Sequence, residues 1–289
     1  MNGNRPIGDL AYELLGEFRR QFESYRDSAY GGEDPEAIHQ MRVNGRRLRA
    51  CMRAFKPVLA QPVLELDSEL QWIAVSLGEV RDVDVQLESM PDLAEALRDI
   101  RLARLVQMRH DLDSRRCLNL AEALRCRIEV AAHDDPALAS APALAVAPDV
   151  VGRAYRAVRR IASEIDPSSD ADAIHTLRKR AKRLRYTVDC FAGLYGKPGK
   201  RFVAGLKDLQ DLLGAHQDAI VAQNFCAELK GRGFDDRLEQ YAEDAHEAAT
   251  ELRAKLPDAL AGLATRWRPL KERMKLERRG LWRAANASE

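Results

Sequence analysis

A thirteen-residue segment occurs twice in this chain. It first reads Ala37-Ile38-His39-Gln40-Met41-Arg42-Val43-Asn44-Gly45-Arg46-Arg47-Leu48-Arg49, then Ala173-Ile174-His175-Thr176-Leu177-Arg178-Lys179-Arg180-Ala181-Lys182-Arg183-Leu184-Arg185. Seven of the thirteen positions are identical, and the Met/Leu, Gly/Ala and Arg/Lys changes are conservative. The two copies lie 136 residues apart, and the same offset pairs Phe55 with Phe191, Leu70 with Leu206, Leu77-Gly78 with Leu213-Gly214, and Asp82 with Asp218. Leu120 and Leu124 likewise match Leu256 and Leu260. A repeat that keeps register over this length predicts two equivalent halves built on one plan.

On a helix, with about 100° per residue and His39 at zero, Arg42, Arg46, Arg49 and Arg53 fall at roughly −60°, −20°, −80° and −40°. One narrow cationic face results. Met41, Leu48, Met52 and Phe55 fall on the opposite, apolar side. The second copy repeats the division: His175, Arg178, Lys182 and Arg185 on one side, Leu177, Leu184, Val188 and Phe191 on the other. Tyr186 lands close to the second basic face, while Arg47 and Arg183 flank the two faces. Lys179 joins the second set.

A basic face on an amphipathic helix is ordinarily solvated surface. Three features count against that here. No acidic residue occurs between His39 and Lys56 or between His175 and Arg185, so the i,i+4 pairs that usually relieve such a face are missing. Cations this dense repel one another unless an anion lies between them. And the pattern occurs in both halves.

Nearly every other segment also reads as helix, because apolar residues recur at three- and four-residue spacing while Gly and Pro gather between segments. A first helix is expected over about 7–26, with Leu10, Leu14, Phe18, Phe22 and Tyr25 as its buried edge, broken by Gly31-Gly32. Asp34-Pro35-Glu36 supplies an N-cap, a residue suited to the first helical turn, and a carboxylate for the dipole. Further helices are expected over about 62–87 and over 92–132, the latter broken near Asp111-Leu112-Asp113-Ser114. Residues 133–149 hold three prolines and no amphipathic period, and read as a linker. The order then restarts with helices over about 150–165, from Asp170-Ala171-Asp172 to about Gly193, and over 200–229, 235–256 and 257–283, with a turn at Gly231–Gly233. The expected fold is all-α: repeat 1 over about 5–132, the linker 133–149, and repeat 2 over about 150–283.

Composition limits the partners. A formal charge of +1 on 289 residues hides strong local segregation, so a polyanion would be selected by where cations stand rather than by bulk charge. Five cysteines without a CxxC pair suggest reduced thiols in a cytoplasmic protein. No leader and no run of about 18 apolar residues is evident, so no membrane role is expected.

The segments His39-x-x-Arg42…Arg46-Arg47-Leu48-Arg49 and His175-x-x-Arg178…Lys182-Arg183-Leu184-Arg185-Tyr186, supported by Leu77-Gly78-x-x-Arg81-Asp82-x-Asp84-Val85, resemble the CHAD family, the conserved-histidine alpha-helical domain. The resemblance covers almost the whole chain. It implies two pseudosymmetric antiparallel four-helix bundles from an internal duplication, which bind inorganic polyphosphate in a basic central pore or groove, and a location at polyphosphate granules. The residues it points to are His39, Arg42, Arg46, Arg47, Arg49, Arg53, His175, Arg178, Lys179, Lys182, Arg183, Arg185 and Tyr186. Members are often fused to a triphosphate tunnel domain of alternating charged strands; no such pattern occurs here, so the stand-alone form is expected. The second half departs from the first at Gln217 for Arg81, Ala219-Ile220 for Val83-Asp84 and Asp189 for Arg53. The Arg81-Asp82 pair therefore reads as structural, with Asp82 and Asp218 orienting arginines of the neighbouring helix.

Polyphosphate offers only charged oxygens, with no base to stack on and no edge to read. A row of arginines, whose planar forks grip phosphate oxygens in pairs, suits it. Thirteen helical residues span roughly 20 Å, enough to face several phosphates. A bound anion would favour the charged form of His39 and His175. Each half has one histidine without a second ligand at metal spacing, and no general base or magnesium-binding carboxylate pair joins the arginines. The expectation is a binding module that is not an enzyme and has no cofactor. His110, His133, His216 and His246 show no pattern. The basic segment 266–283 reads either as a solvated last helix, or as an extra wall of the anion site or a surface that touches a granule. Binding to a nucleic-acid backbone is the rival reading, and a helical scaffold without a ligand is the third.

Overall fold

The computed structural model describes residues 4–166, 168–231 and 235–286. Among them all regular structure is helical, apart from one isolated bridge between Pro6 and Pro142, so the chain is all-α. Two compact units emerge, one spanning Ile7–Ser140 and the other Ala141 onward together with the residues up to Pro6. The Arg5 carbonyl accepts from the Ala143 N–H at 2.9 Å, which ties that N-terminal segment into the second unit.

The N-terminal unit begins with α1 (Ile7–Ser24) and the short α2 (Arg26–Gly31). Leu10, Leu14 and Phe22 of the expected edge are buried, with Leu15 beside them, while Phe18 and Tyr25 are half-exposed. Gly32 ends α2 at a φ of 73°, a conformation that favours glycine, and a Cβ there would collide with Leu105. The motif helix α3 (Pro35–Ala54) starts as its sequence requires: Asp34 accepts from the Glu36 N–H at 2.9 Å, and Pro35 opens the first turn. Its apolar side, Met41, Leu48, Met52 and Phe55, is no more than 1% exposed. α1 comes so close that a Cβ on Gly45 would lie 3.2 Å from the Phe22 ring.

After the one-turn α4 (Gln61–Leu64), α5 (Leu66–Ser89) packs along α3, and α6 (Ala94–Asp113) packs along α5. Ser114 breaks the last run at the expected place and caps α7 (Arg115–Val130), accepting from the Cys117 N–H at 3.1 Å. α7 closes the bundle against α1 and α5, and a single turn, α8 (Pro136–Ala139), follows. Short connections between packed neighbours make this an antiparallel bundle whose fourth member is the broken α6–α7 pair.

The C-terminal unit follows the same order of neighbours. α9 (Ala143–Ala162) packs on α10 (Ala171–Asp189), α10 on α11 (Gly196–Leu229), and α11 on both α12 (Asp235–Ala254) and α13 (Leu256–Asn286); α13 returns to α9. The second motif helix again has an aspartate cap, Asp170, accepting from the Ala173 N–H at 2.7 Å. Leu177, Leu184, Val188 and Phe191 are all buried.

One expectation needs correcting. The segment 133–149 is not wholly a linker, because α9 starts at Ala143 rather than near Val150. Ala143, Leu144 and Ala147 are buried and continue the period of Val150, Val151, Tyr155 and Val158. Small alanines carry little hydrophobic contrast, and Pro148, inside α9, reads in sequence as a helix break although the helix runs through it. The turn expected at Gly231–Gly233 lies, beyond Gly231, outside the described residues. None of the five cysteines forms a disulfide, and four of them are buried.

Candidate functional site

Burying Met41, Leu48 and Met52 leaves α3 no choice about where its charges go. His39, Arg42, Arg46, Arg49 and Arg53 come out together on the opposite side, each half-buried rather than fully solvated.

Partners divide this face in two. At one end stand His39 and Arg46. His39 Nδ1 is buried without a hydrogen-bond partner, and so is Arg46 Nε; no carboxylate among the described residues pairs with Arg46. Burial pushes the His39 pKa below its ordinary value, and the charges of Arg81, Arg46 and Arg42 push the same way against the opposing pull of Glu36. His39 is therefore held neutral by its own surroundings. Arg42 lies over Gly78, where a Cβ would come within 3.2 Å of its Nε, and its Nη2 stands 3.9 Å from Asp82.

At the other end the cations are already paired. Arg49 donates from Nε to Asp67 Oδ1 at 3.0 Å and from Nη2 to Gln71 Oε1 at 2.6 Å. Arg53 Nη2 donates to Asp67 Oδ2 at 2.7 Å. Burial raises the Asp67 pKa, but the hydrogen bonds and charges of these two arginines overcome it and hold the carboxyl below its usual range. The acid missing from α3 itself is thus supplied by α5. Arg47 turns aside: its guanidinium lies 5.9 Å from the Phe18 ring and donates to Asn44 Oδ1 at 3.4 Å.

Arg81, read from the sequence as structural, belongs to this surface. Its charge acts on His39, and its Nη1 donates to Glu88 at 3.3 Å. The position 136 residues on is Gln217, whose Oε1 bonds His175 Nδ1. In each unit the residue at this position of α5 or α11 therefore addresses the histidine, a signal already present in the repeat register. An amide oxygen only accepts, so the His175 ring donates from Nδ1 to Gln217.

The α10 face holds His175, Arg178, Lys182 and Arg185, all half-buried. Arg185 lies over the Tyr186 ring at 5.0 Å, with its Nε buried and without a hydrogen-bond partner. Tyr186 is itself buried at 8% exposure, so it forms the platform beneath Arg185 rather than part of the outer surface. Lys179 and Arg183 point to the exposed side.

The basic segment 266–283 is knitted into its own unit. Arg266 pairs with Asp208 at 2.7 Å, Arg278 with Asp149 at 2.9 Å, and Lys275 with Glu272 at 3.1 Å. Trp267 stacks on Tyr155 with ring centres 4.0 Å apart, while Leu270 and Met274 are buried. These pairings favour the reading of 266–283 as a last helix of its own unit, with Arg266, Lys271 and Lys275 still exposed. Of the unpatterned histidines, His133 Nδ1 bonds the Val58 carbonyl at 2.7 Å and His216 is buried.

Among the described residues no group of three or more His, Cys, Asp or Glu side chains could hold a metal ion, and no helix is long and apolar enough to cross a membrane. What both motif faces offer is convergent guanidinium and imidazole groups, which is the chemistry of an anion receptor.

Comparison with known proteins agrees with the motif. Two uncharacterized proteins of Mycobacterium tuberculosis, one from strain CDC 1551 / Oshkosh and one from strain ATCC 25618 / H37Rv, are each 30% identical over 248 residues, which is 77% of this chain. The chain spans about half of their length, 46%. The crystal structure of the CHAD domain from the plant Ricinus communis superimposes with a TM-score of 0.79 at 25% identity, covering 91% of this chain and 93% of that one. PptA from Streptomyces chartreusis shares the fold, with a TM-score of 0.63 at 16% identity over 92% of this chain and 99% of its own. The CHAD domain model matches residues 13–227, from α1 to the end of α11, and so takes in both His/Arg faces with the helices that support them. The chain belongs to the CHAD domain family.

Proposed function

We propose that this protein binds inorganic polyphosphate on two basic helix faces, His39–Arg53 of α3 and His175–Arg185 of α10, and that it does so without catalysing a reaction. One observation carries the reading. Arg46 and Arg185 hold half-buried guanidinium groups whose Nε atoms lack a hydrogen-bond partner and which no described carboxylate neutralises. A charged donor removed from water without an acceptor is costly, and a phosphate oxygen relieves that cost. Polyphosphate fits better than a nucleic acid because neither face offers an exposed aromatic for a base: Tyr186 is buried. The polyphosphate association implied by the CHAD resemblance points the same way, and the same contacts would hold the protein at polyphosphate granules.

The reading is tested by competition. Labelled DNA and labelled long-chain polyphosphate are each challenged with the other unlabelled polymer. Polyphosphate is expected to displace DNA while DNA fails to displace polyphosphate. Replacing Arg42, Arg46, Arg178, Lys182 and Arg185 together by Ala should abolish polyphosphate binding and leave the helical circular dichroism signal unchanged. Retained affinity in that variant, or DNA as the stronger competitor, contradicts the proposal.

A further inference from the structure

We propose that Asp67 is a built-in competitor for the anion site of the N-terminal unit: its carboxylate occupies the Arg49–Arg53 end of the α3 face until a phosphate chain displaces it. The inference rests on the polyphosphate reading above and adds where on this face the ligand must first land.

The geometry at Asp67 is what a phosphate group would adopt. Its two oxygens receive Arg49 Nε at 3.0 Å, Arg49 Nη2 at 3.5 Å and Arg53 Nη2 at 2.7 Å, so one anion bridges two guanidinium groups. Gln71 takes a further Arg49 proton at 2.6 Å. Asp67 is the second residue of α5, where the positive end of the helix dipole also favours a negative charge. Its side chain is 29% exposed, so the carboxylate can swing into water when another anion takes its place.

The other unit shows that the fold does not need this clamp. In register with Asp67 and Gln71 stand Val203 and Lys207, neither of which can accept from an arginine. The counterpart of Arg49 is Arg185, which rests on Tyr186 with no described carboxylate partner. The carboxylate that clamps Arg49 thus has no counterpart in register at Arg185, although an acid, Asp189, stands in place of Arg53. A phosphate chain meets His39 and Arg46 first on the N-terminal unit, and reaches Arg49 and Arg53 only by expelling Asp67. On α10 no such step is required at Arg185.

Isothermal titration of the full chain with long-chain polyphosphate tests this, comparing wild type, Asp67→Asn, Arg49→Gln/Arg53→Gln and the triple variant. Asp67→Asn is expected to bind about tenfold more tightly, equivalent to about 1.4 kcal/mol, with a steeper salt dependence as two more arginines are freed. The Arg49→Gln/Arg53→Gln pair should weaken wild-type binding, because two cations of the face are lost, and Asp67→Asn added to that pair should give no gain, a dependence on background that a purely structural role does not produce. Asp67→Val, which copies Val203, serves as a second variant should the asparagine fail to fold. Wild-type binding that neither Asp67 variant improves overturns this inference and leaves the polyphosphate reading standing. A wild-type chain that does not bind polyphosphate overturns both.

Discussion

At the scale of single residues, the proposed polyphosphate site couples binding to pH through His39. In the free protein burial and three neighbouring arginines hold its pKa below the ordinary value, so the neutral ring is favoured. A phosphate beside the ring stabilises imidazolium and raises the pKa, so binding takes up a proton. Affinity for polyphosphate should therefore rise as pH falls from about 8 to about 6, across the ordinary histidine value of about 6.5. The ligand-free fold has the opposite slope. A group with a depressed folded pKa gives stability that is present above the unfolded value and lost as pH falls towards the folded one. Titration of wild type and His39→Gln at several pH values checks this: the substitution should flatten the pH dependence, and an unchanged slope would remove His39 from the linkage.

At the scale of elements, a buried ion pair joins α5 to α6 and fixes the surface that carries Arg81. Asp84, 3% exposed, accepts from Arg101 Nε at 2.6 Å, and Arg101 Nη2 donates to the Gly32 carbonyl at 2.9 Å. Asp84→Ala should destabilise the N-terminal unit by about 3 kcal/mol, the low end for a broken buried pair because Arg101 keeps its Gly32 contact and some water. Thermal or urea unfolding measures it, and a change within about 0.5 kcal/mol would mean the pair is only surface decoration. Helices and their buried sides were the most legible part of the sequence. The three- and four-residue spacing of Met41, Leu48, Met52 and Phe55 leaves one way to bury α3, and that alone puts His39 and the arginines on the other side. Asp34, Asp170 and Ser114 mark helix starts by local chemistry, which sequence displays directly. The pairing of Arg49 and Arg53 with Asp67 was not legible, because it joins neighbouring helices and depends on how they are rotated against one another. Arg81 was missed for the same reason, although its place opposite His39 is repeated by Gln217 and His175. Tyr186 sits at the edge of the basic face on a helical wheel, and only packing decides that it goes under Arg185.

At the scale of the whole molecule, a formal charge of +1 rules out bulk attraction as the source of polyanion binding. On the proposed reading, affinity comes from the two faces, and within them from the cations that no internal acid has claimed. Loss of one charge-assisted contact typically costs about 1.5–3 kcal/mol, so two unclaimed arginines matter more than the paired majority. The most direct measurement is the affinity of Arg46→Ala/Arg185→Ala for long-chain polyphosphate, followed against salt concentration beside the wild type. Wild type should bind with affinity that falls steeply as salt rises, while the double variant, folded as judged by circular dichroism, should lose about a hundredfold or more and show a shallower salt dependence. A double variant that binds as tightly as wild type, with the same salt dependence, would contradict the assignment of the anion site to these faces.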